Sequence, residues 1–235
     1  QNDAVLALHA METAAYSLGL GCVILGSLLN NIPGLIDVHT HGAMGIDASD
    51  CTAEQIHHLA QFYSDNGVTS FCFTTLTVPA DELRGAMKNI RAYERFGGEA
   101  KCAGVHLEGP FVSRGKCGAQ NPDNIRKPDI ALFNELNELS GGMVRLITVA
   151  PEVEGALDFI REASKVCTVS LGHSTADYDQ AMAGFEAGAT HVTHLFNGME
   201  PFHHRKPGLV GAALTAGANV ELICDGVHIH PAMIV

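Results

Sequence analysis

Residues 34–42 read GLIDVHTHG, an apolar run that ends in two histidines one residue apart. In an extended segment successive side chains face opposite sides, so His39 and His41 share a face. Two imidazoles side by side form a ready chelate for a metal ion. The same kind of ending recurs: AGVHLEGPF closes on His106 and Glu108, TVSLGHST on His173, THVTHLFNGM on His194 and Asn197, and VELICDGVHIH on Asp225, His228 and His230. Neutral imidazoles with a carboxylate suit zinc, iron, cobalt or manganese, and with few thiols at these positions the set reads as a catalytic centre with room for water. An ion in such a centre lowers the pKa of its water towards neutrality, which makes hydroxide available as a nucleophile.

The elements that must hold these residues alternate. Strand-like runs are predicted near 34–38, 68–74, 102–107, 143–149, 167–171, 190–194 and 219–224. Between them, helix-like periodicity covers 53–65, 80–94, 129–139, 155–164, 176–187 and 208–216, with Thr52 and Ser174 as caps. That is an α/β chain with about seven β/α units, a (β/α)8-type TIM barrel one unit short. Every histidine cluster falls at the carboxyl end of a strand, the face on which such barrels build active sites. Imidazoles and a carboxylate crowded there would be costly to bury without an ion or ligand to pair them. No repeat or linker divides residues 33–235, which read as one partial barrel; residues 1–32 form an atypical N-terminal segment that fits none of the units.

Composition narrows the partners. The 235 residues carry a net charge of -12 with 14 basic side chains, which argues against nucleic acid or an anionic membrane and leaves room for a local basic pocket and a small anionic ligand. The seven cysteines are scattered without C-x-x-C spacing, a pattern of buried thiols in a reducing compartment rather than of disulfides. Residues 14–29 are apolar, but too short and glycine-rich to span a membrane comfortably, and no basic residue precedes Arg84; the expected location is cytoplasmic.

The motifs PGLIDVHTHG, GVHLEGPF, GAQNP, LGHST, THLFNGMEPFHHRKPGLVGAAL and DGVHIHP, in that order, resemble those of the N-acetylglucosamine-6-phosphate deacetylases of the amidohydrolase superfamily. The resemblance implies hydrolysis of the N-acetyl group of N-acetylglucosamine 6-phosphate, giving glucosamine 6-phosphate and acetate. It implies Glu108, His173 and His194 as principal metal ligands, and His39 and His41 as the pair that some members use for a second ion. Asn197, the Gly198 backbone and Arg205 match positions that hold the sugar phosphate, and His228 matches a substrate-contacting histidine. Gln120 stands where some members have a histidine near the substrate carbonyl, and its amide can donate to a developing oxyanion. In related enzymes the arginine reaches the neighbouring subunit's site, which implies a homodimer.

The sequence departs from that family in two places. The family's general acid/base is an aspartate at the end of strand eight, and this sequence stops at Val235, shortly after strand seven, so no catalytic acid/base is assigned. The first 21 residues do not read like the strands of the small β-sandwich that flanks the barrel in relatives. Two alternatives to the deacetylase therefore stand: a non-catalytic metal- or sugar-phosphate-binding remnant, and another amidohydrolase acting on a cyclic amide. The remaining polar residues have plainer readings. His57 and His58 are expected to be solvated on a helix, His203 and His204 to lie on a surface loop, His106 to sit in the core or behind Glu108, and Asp225 to hold a turn.

Overall fold

Residues 35–234 are described in full, and 22–25 as backbone, in the computed structural model of this chain; most of the 14–29 stretch and the boundary near Pro33 lie outside the described residues. Among the described residues ten strands are present: β1 (Cys22–Leu25), β2 (Leu35–Thr40), β3 (Gly42–Ala43), β4 (Ile46–Asp47), β5 (Val68–Thr75), β6 (Lys101–Glu108), β7 (Val144–Val149), β8 (Thr168–Leu171), β9 (His191–Val192) and β10 (Asn219–Ile223). Six α-helices among the same residues interleave with them: α1 (Ala53–Asp65), α2 (Ala80–Ala92), α3 (Ile130–Leu139), α4 (Ala156–Ala163), α5 (Tyr178–Ala187) and α6 (Gly208–Ala216).

Eight strands form one parallel sheet in the order β1-β10-β9-β8-β7-β6-β5-β2. Apart from β1, this is the expected succession of β/α units in a TIM-barrel-type fold of partial extent. The position beside β10 is filled from the other end of the chain: β1 pairs with it from Cys22↔Val220 to Leu25↔Ile223 and approaches β2 as well. A four-residue apolar run becomes a strand only where an unpaired edge receives it, which periodicity within the run does not reveal. The hairpin of β3 and β4 follows the first histidine pair and was also not predicted.

Alternation along the strands divides two environments. On β6, Val105 and Leu107 enter the apolar layer between sheet and helices, while His106 and Glu108 face the barrel interior. The helices meet that layer with residues at helical spacing, such as Ile56, Leu59, Ala60 and Tyr63 on α1. The interior is polar instead: His106 Nε2 lies 2.7 Å from Thr148 Oγ1, which lies 2.7 Å from Thr193 Oγ1, itself 2.6 Å from Ser170 Oγ. This hydroxyl layer forms a floor under the carboxyl ends of the strands.

Two local expectations are corrected. Helix α5 is capped by Asp177, which forms a reciprocal capping box with Gln180; Ser174 lies outside the helix and donates to Glu152. Strand β9 ends at Val192 rather than 194, because His194 takes a left-handed conformation with φ of 31° and leaves the ladder.

Candidate metal centre

Four strand ends supply the cluster. Glu108 is the last residue of β6, His39 lies near the end of β2 with His41 just beyond, and His173 and His194 each follow their strand by two residues. Both of those histidines have positive φ, 46° at His173 and 31° at His194. A β-carbon is disfavoured there, and such strain persists only where surroundings over-determine it, commonly at functional sites. The surroundings here are specific: the His173 carbonyl accepts from Ser113 N at 2.9 Å, and Gly198 packs against both rings.

The ring nitrogens are sorted by their partners. Nδ1 of His173 lies 2.8 Å from the Lys116 carbonyl, Nδ1 of His194 lies 3.1 Å from that of Asn197, and Nδ1 of His41 lies 3.0 Å from that of Thr74. A carbonyl only accepts, so each Nδ1 donates and each Nε2 is left with its lone pair. Those Nε2 atoms converge. His173 and His194 stand 3.1 and 3.0 Å from Glu108 Oε1 and 3.0 Å from each other. His39 and His41 repeat the arrangement, with Nε2 atoms 3.2 Å apart, one 3.3 Å from Oε1 and the other 3.2 Å from Oε2 of Glu108. Lone pairs pointed at one another across 3 Å repel unless something positive stands among them. Of three groups of potential ligands among the described residues, two share one carboxylate, Glu108 with His173 and His194 and Glu108 with His39 and His41; the third, His39 with His106 and Glu221, lies behind them.

The electrostatics agree with a cation. Burial raises the free energy of the Glu108 carboxylate, which is only 2% exposed, yet His39, His173 and His194 hold it well below the usual carboxylate range. Burial also favours a neutral His39 ring, but Glu221 and Glu108 outweigh it and push its pKa up to about 10. The pocket thus demands positive charge at its centre, and a divalent ion on the Nε2 lone pairs meets that demand with the donor types zinc, iron, cobalt and manganese take.

The structure brings Gln120 into the same cluster. Its Nε2 donates to Glu108 Oε2 and its Oε1 accepts from Thr77 N at 2.6 Å, so the amide is fixed with one N–H left over. Asn197 and Gly198 line the approach through their backbone: the Asn197 carbonyl holds His194, and Gly198, with φ of 61°, accepts from Ser174 N at 2.9 Å. Arg205 and His228 are not brought to the cluster. Arg205 lies on an exposed segment lining a separate cleft of about 650 Å³ with Tyr178, His203 and Lys206. His228 sits in an exposed turn, its Nδ1 2.7 Å from Asp225 Oδ2. Asp225 holds that turn as expected: backbone N–H groups of His228 and Val227 and the His228 ring lower its carboxyl to about 2.

Other histidines divide. His58, His203 and His204 are exposed, whereas His57 is not merely solvated: its Nδ1 lies 2.9 Å from Glu99 Oε1 and its ring stacks on Phe96. His106 is fully buried, and burial drives its pKa down to about 3, with the neighbouring His39 adding to the effect. Glu221 and its partner His191 went unread in the sequence. Glu221, wholly buried on β10, lies with Oε2 2.7 Å from His39 Nδ1 and Oε1 3.1 Å from His191 Nε2. The signal for it was present, since an acidic residue inside the apolar strand NVELI must find partners if it is buried.

Known proteins resemble this chain in sequence and fold. The chain is 38% identical over 206 residues to the N-acetylglucosamine-6-phosphate deacetylase of Bacillus subtilis (strain 168), covering 85% of this chain and 52% of that protein. It is 41% identical over 203 residues to the N-acetylgalactosamine-6-phosphate deacetylase of Escherichia coli O157:H7, covering 85% and 54%. The crystal structure of N-acetyl-D-glucosamine-6-phosphate deacetylase from Mycobacterium smegmatis superposes with a TM-score of 0.78 at 34% identity, over 86% of this chain and 53% of that one. An aspartate-to-alanine mutant of that enzyme, solved in complex with N-acetyl-D-glucosamine-6-phosphate, superposes equally well. This chain spans about half the length of the curated relatives it matches. Residues 31–234 match the amidohydrolase family, whose members are in general dependent on divalent metal, and the chain belongs to that family.

Proposed function

We propose that this chain forms the metal-binding body of a deacetylase that hydrolyses the N-acetyl group of an amino-sugar 6-phosphate, with N-acetylglucosamine 6-phosphate as the first substrate to assay. The observation that carries the reading is the convergence of four Nε2 lone pairs on the buried Glu108 carboxylate at the carboxyl ends of the strands. Glu108, His173 and His194 would hold one divalent ion, zinc or else iron, cobalt or manganese, and Glu108, His39 and His41 a second. Bound there, the metal supplies Lewis acidity to the acetyl carbonyl and a water acidic enough to lose its proton near neutral pH.

The chain's own groups do the rest. Glu108 offers negative charge to both ligand sets, and the carbonyls of Lys116, Asn197 and Thr74 accept from Nδ1–H of His173, His194 and His41 and so turn each Nε2 towards it. Gln120 is anchored by its bonds to Glu108 and Thr77 and directs its remaining N–H at the oxygen on which negative charge develops. Asn197 and the Gly198 backbone approach the sugar phosphate, and Arg205 holds the phosphate bidentately, in the manner suited to a guanidinium. His228 contacts the sugar. Proton transfer to the leaving amine is not assigned to any of these residues.

Two further elements of the reading are a homodimer in which Arg205 serves the neighbouring site, and a cytoplasmic location. The second is supported by free thiols at Cys51, Cys72, Cys102, Cys117 and Cys167, and among the described residues no helix is long and apolar enough to cross a membrane. The 41% identity to an N-acetylgalactosamine-6-phosphate deacetylase favours one variation, the C4 epimer of the substrate. The test is elemental analysis of the purified protein together with acetate release from both sugar phosphates. Bound divalent metal with turnover of one of them is expected; full turnover by a metal-free preparation would defeat the reading.

A further inference from the structure

Three of the four converging histidines lean on neutral carbonyl oxygens, and His39 leans on a carboxylate. Glu221 Oε2 lies 2.7 Å from His39 Nδ1, across 182 residues of sequence, and the side chain is wholly buried. It cannot swing away, because Oε1 is engaged by His191 Nε2 at 3.1 Å and Oε2 also receives the His194 backbone N–H at 3.4 Å. A buried carboxylate is a poor stabilising device, since a well-packed apolar residue generally does as well or better in its place. Its position is informative instead: it bonds the ring of a ligand in one set, His39, and in the other set it meets only the His194 backbone N–H, not a ring.

Charge makes the same distinction. Glu108 is the only carboxylate in the two ligand sets, so a second divalent ion brought beside the first adds positive charge with no ligand anion of its own. Glu221 stands one imidazole away from that second position and supplies the missing negative charge through the ring. A carboxylate on the distal nitrogen fixes the tautomer of a ligating histidine and raises its basicity.

We propose that Glu221 is a positioning residue for the second ion: by accepting from His39 Nδ1 it turns Nε2 towards His41 and Glu108 and makes the His39–His41 set competent to hold a divalent cation. This rests on reading the cluster as a metal centre. It assigns a part to a residue that touches neither substrate nor ion.

Metal-free protein titrated with Co2+, followed by visible absorption and by elemental analysis after desalting, separates the two sets. The wild type is expected to take up two equivalents. Glu221→Gln is expected to weaken the second about 10- to 100-fold and to leave the first within about threefold. Two equivalents bound unchanged by Glu221→Gln would overturn the proposal while leaving the metal centre intact. Both equivalents weakened alike with a lowered melting temperature would overturn it in favour of a structural role, and a wild type that takes up no cobalt would overturn the metal centre itself. Should Glu221→Gln fail to fold, 15N correlation spectra of the zinc-loaded wild type decide: a His39 ring with its proton on Nδ1 and the ion on Nε2 is expected, and the reverse would overturn the proposal.

Discussion

A β-carbon added at Gly198 would stand 3.1 Å from His173 Nδ1 and 3.2 Å from His194 Cε1, in a backbone conformation with φ of 61° that L side chains rarely adopt. Gly198→Ala is therefore expected to displace both rings by a few tenths of an ångström and to lower metal affinity by about tenfold or more, as loss of a supporting contact does. Competition with a chelator measures this, and wild-type affinity in the variant would show that the rings have room to yield. Glu108→Ala removes the carboxylate common to both ligand sets, so metal content and activity are both expected to vanish; full activity with an empty site would end the metal reading. At this scale the sequence was legible where type and position coincided. Glu108, His39, His41, His173 and His194 are chemically unusual for strand ends, and the fold brings them together. Glu221 was not legible, because its meaning depends on a sheet curling until β10 meets β2, and neither strand contains that information.

Elements were legible to within a few residues wherever local physics decides. The periodic apolar face of α1 and its Thr52 cap appear as expected, with Gln55 completing a capping box, and Thr52→Ala is expected to cost about 1 kcal/mol of stability in a denaturant titration. Pairings between elements were not legible, and Glu99 shows why. It lies just before β6, and its carboxylate receives Tyr93 Oη at 2.8 Å, Phe96 N at 2.9 Å and the ring of His57 on α1. Burial opposes its charge, but those bonds together hold its pKa below the usual value of 4.5. A depressed carboxyl stabilises the fold above its unfolded pKa, and the gain is lost as pH falls through the folded pKa. Glu99→Gln is accordingly expected to lower stability by about 1–3 kcal/mol at neutral pH, the range for a buried hydrogen-bonded network, with the deficit shrinking as pH falls below 4.5. Melting curves of both proteins across that range measure it, and a deficit independent of pH would mean that shape, not charge, holds the clamp.

At the scale of the whole molecule, the question is how Arg205, proposed to hold the phosphate, would serve a cluster with which it makes no described contact. Arg205 lies on an exposed segment, its backbone N–H bonded to His203 Nδ1 at 3.2 Å, and among the described residues no ion pair joins it to Glu108 or the histidines around it. Within one copy of the chain Arg205 lines a cleft whose lining does not include the ligand cluster; in a symmetric dimer each copy can complete the other. Subunit mixing distinguishes these arrangements. Arg205→Ala alone is expected to raise KM mainly for the phosphorylated sugar, and Glu108→Ala alone to be inactive. Co-refolded in equal amounts, half the dimers pair one variant with the other, and each such dimer holds one site with an intact cluster and an intact arginine. Activity at low substrate should then recover to about a quarter of the wild-type value, through a term absent from either parent. A mixture no more active than the average of its parents would place Arg205 in its own subunit's site, reached by a movement of the 200–208 segment rather than by assembly.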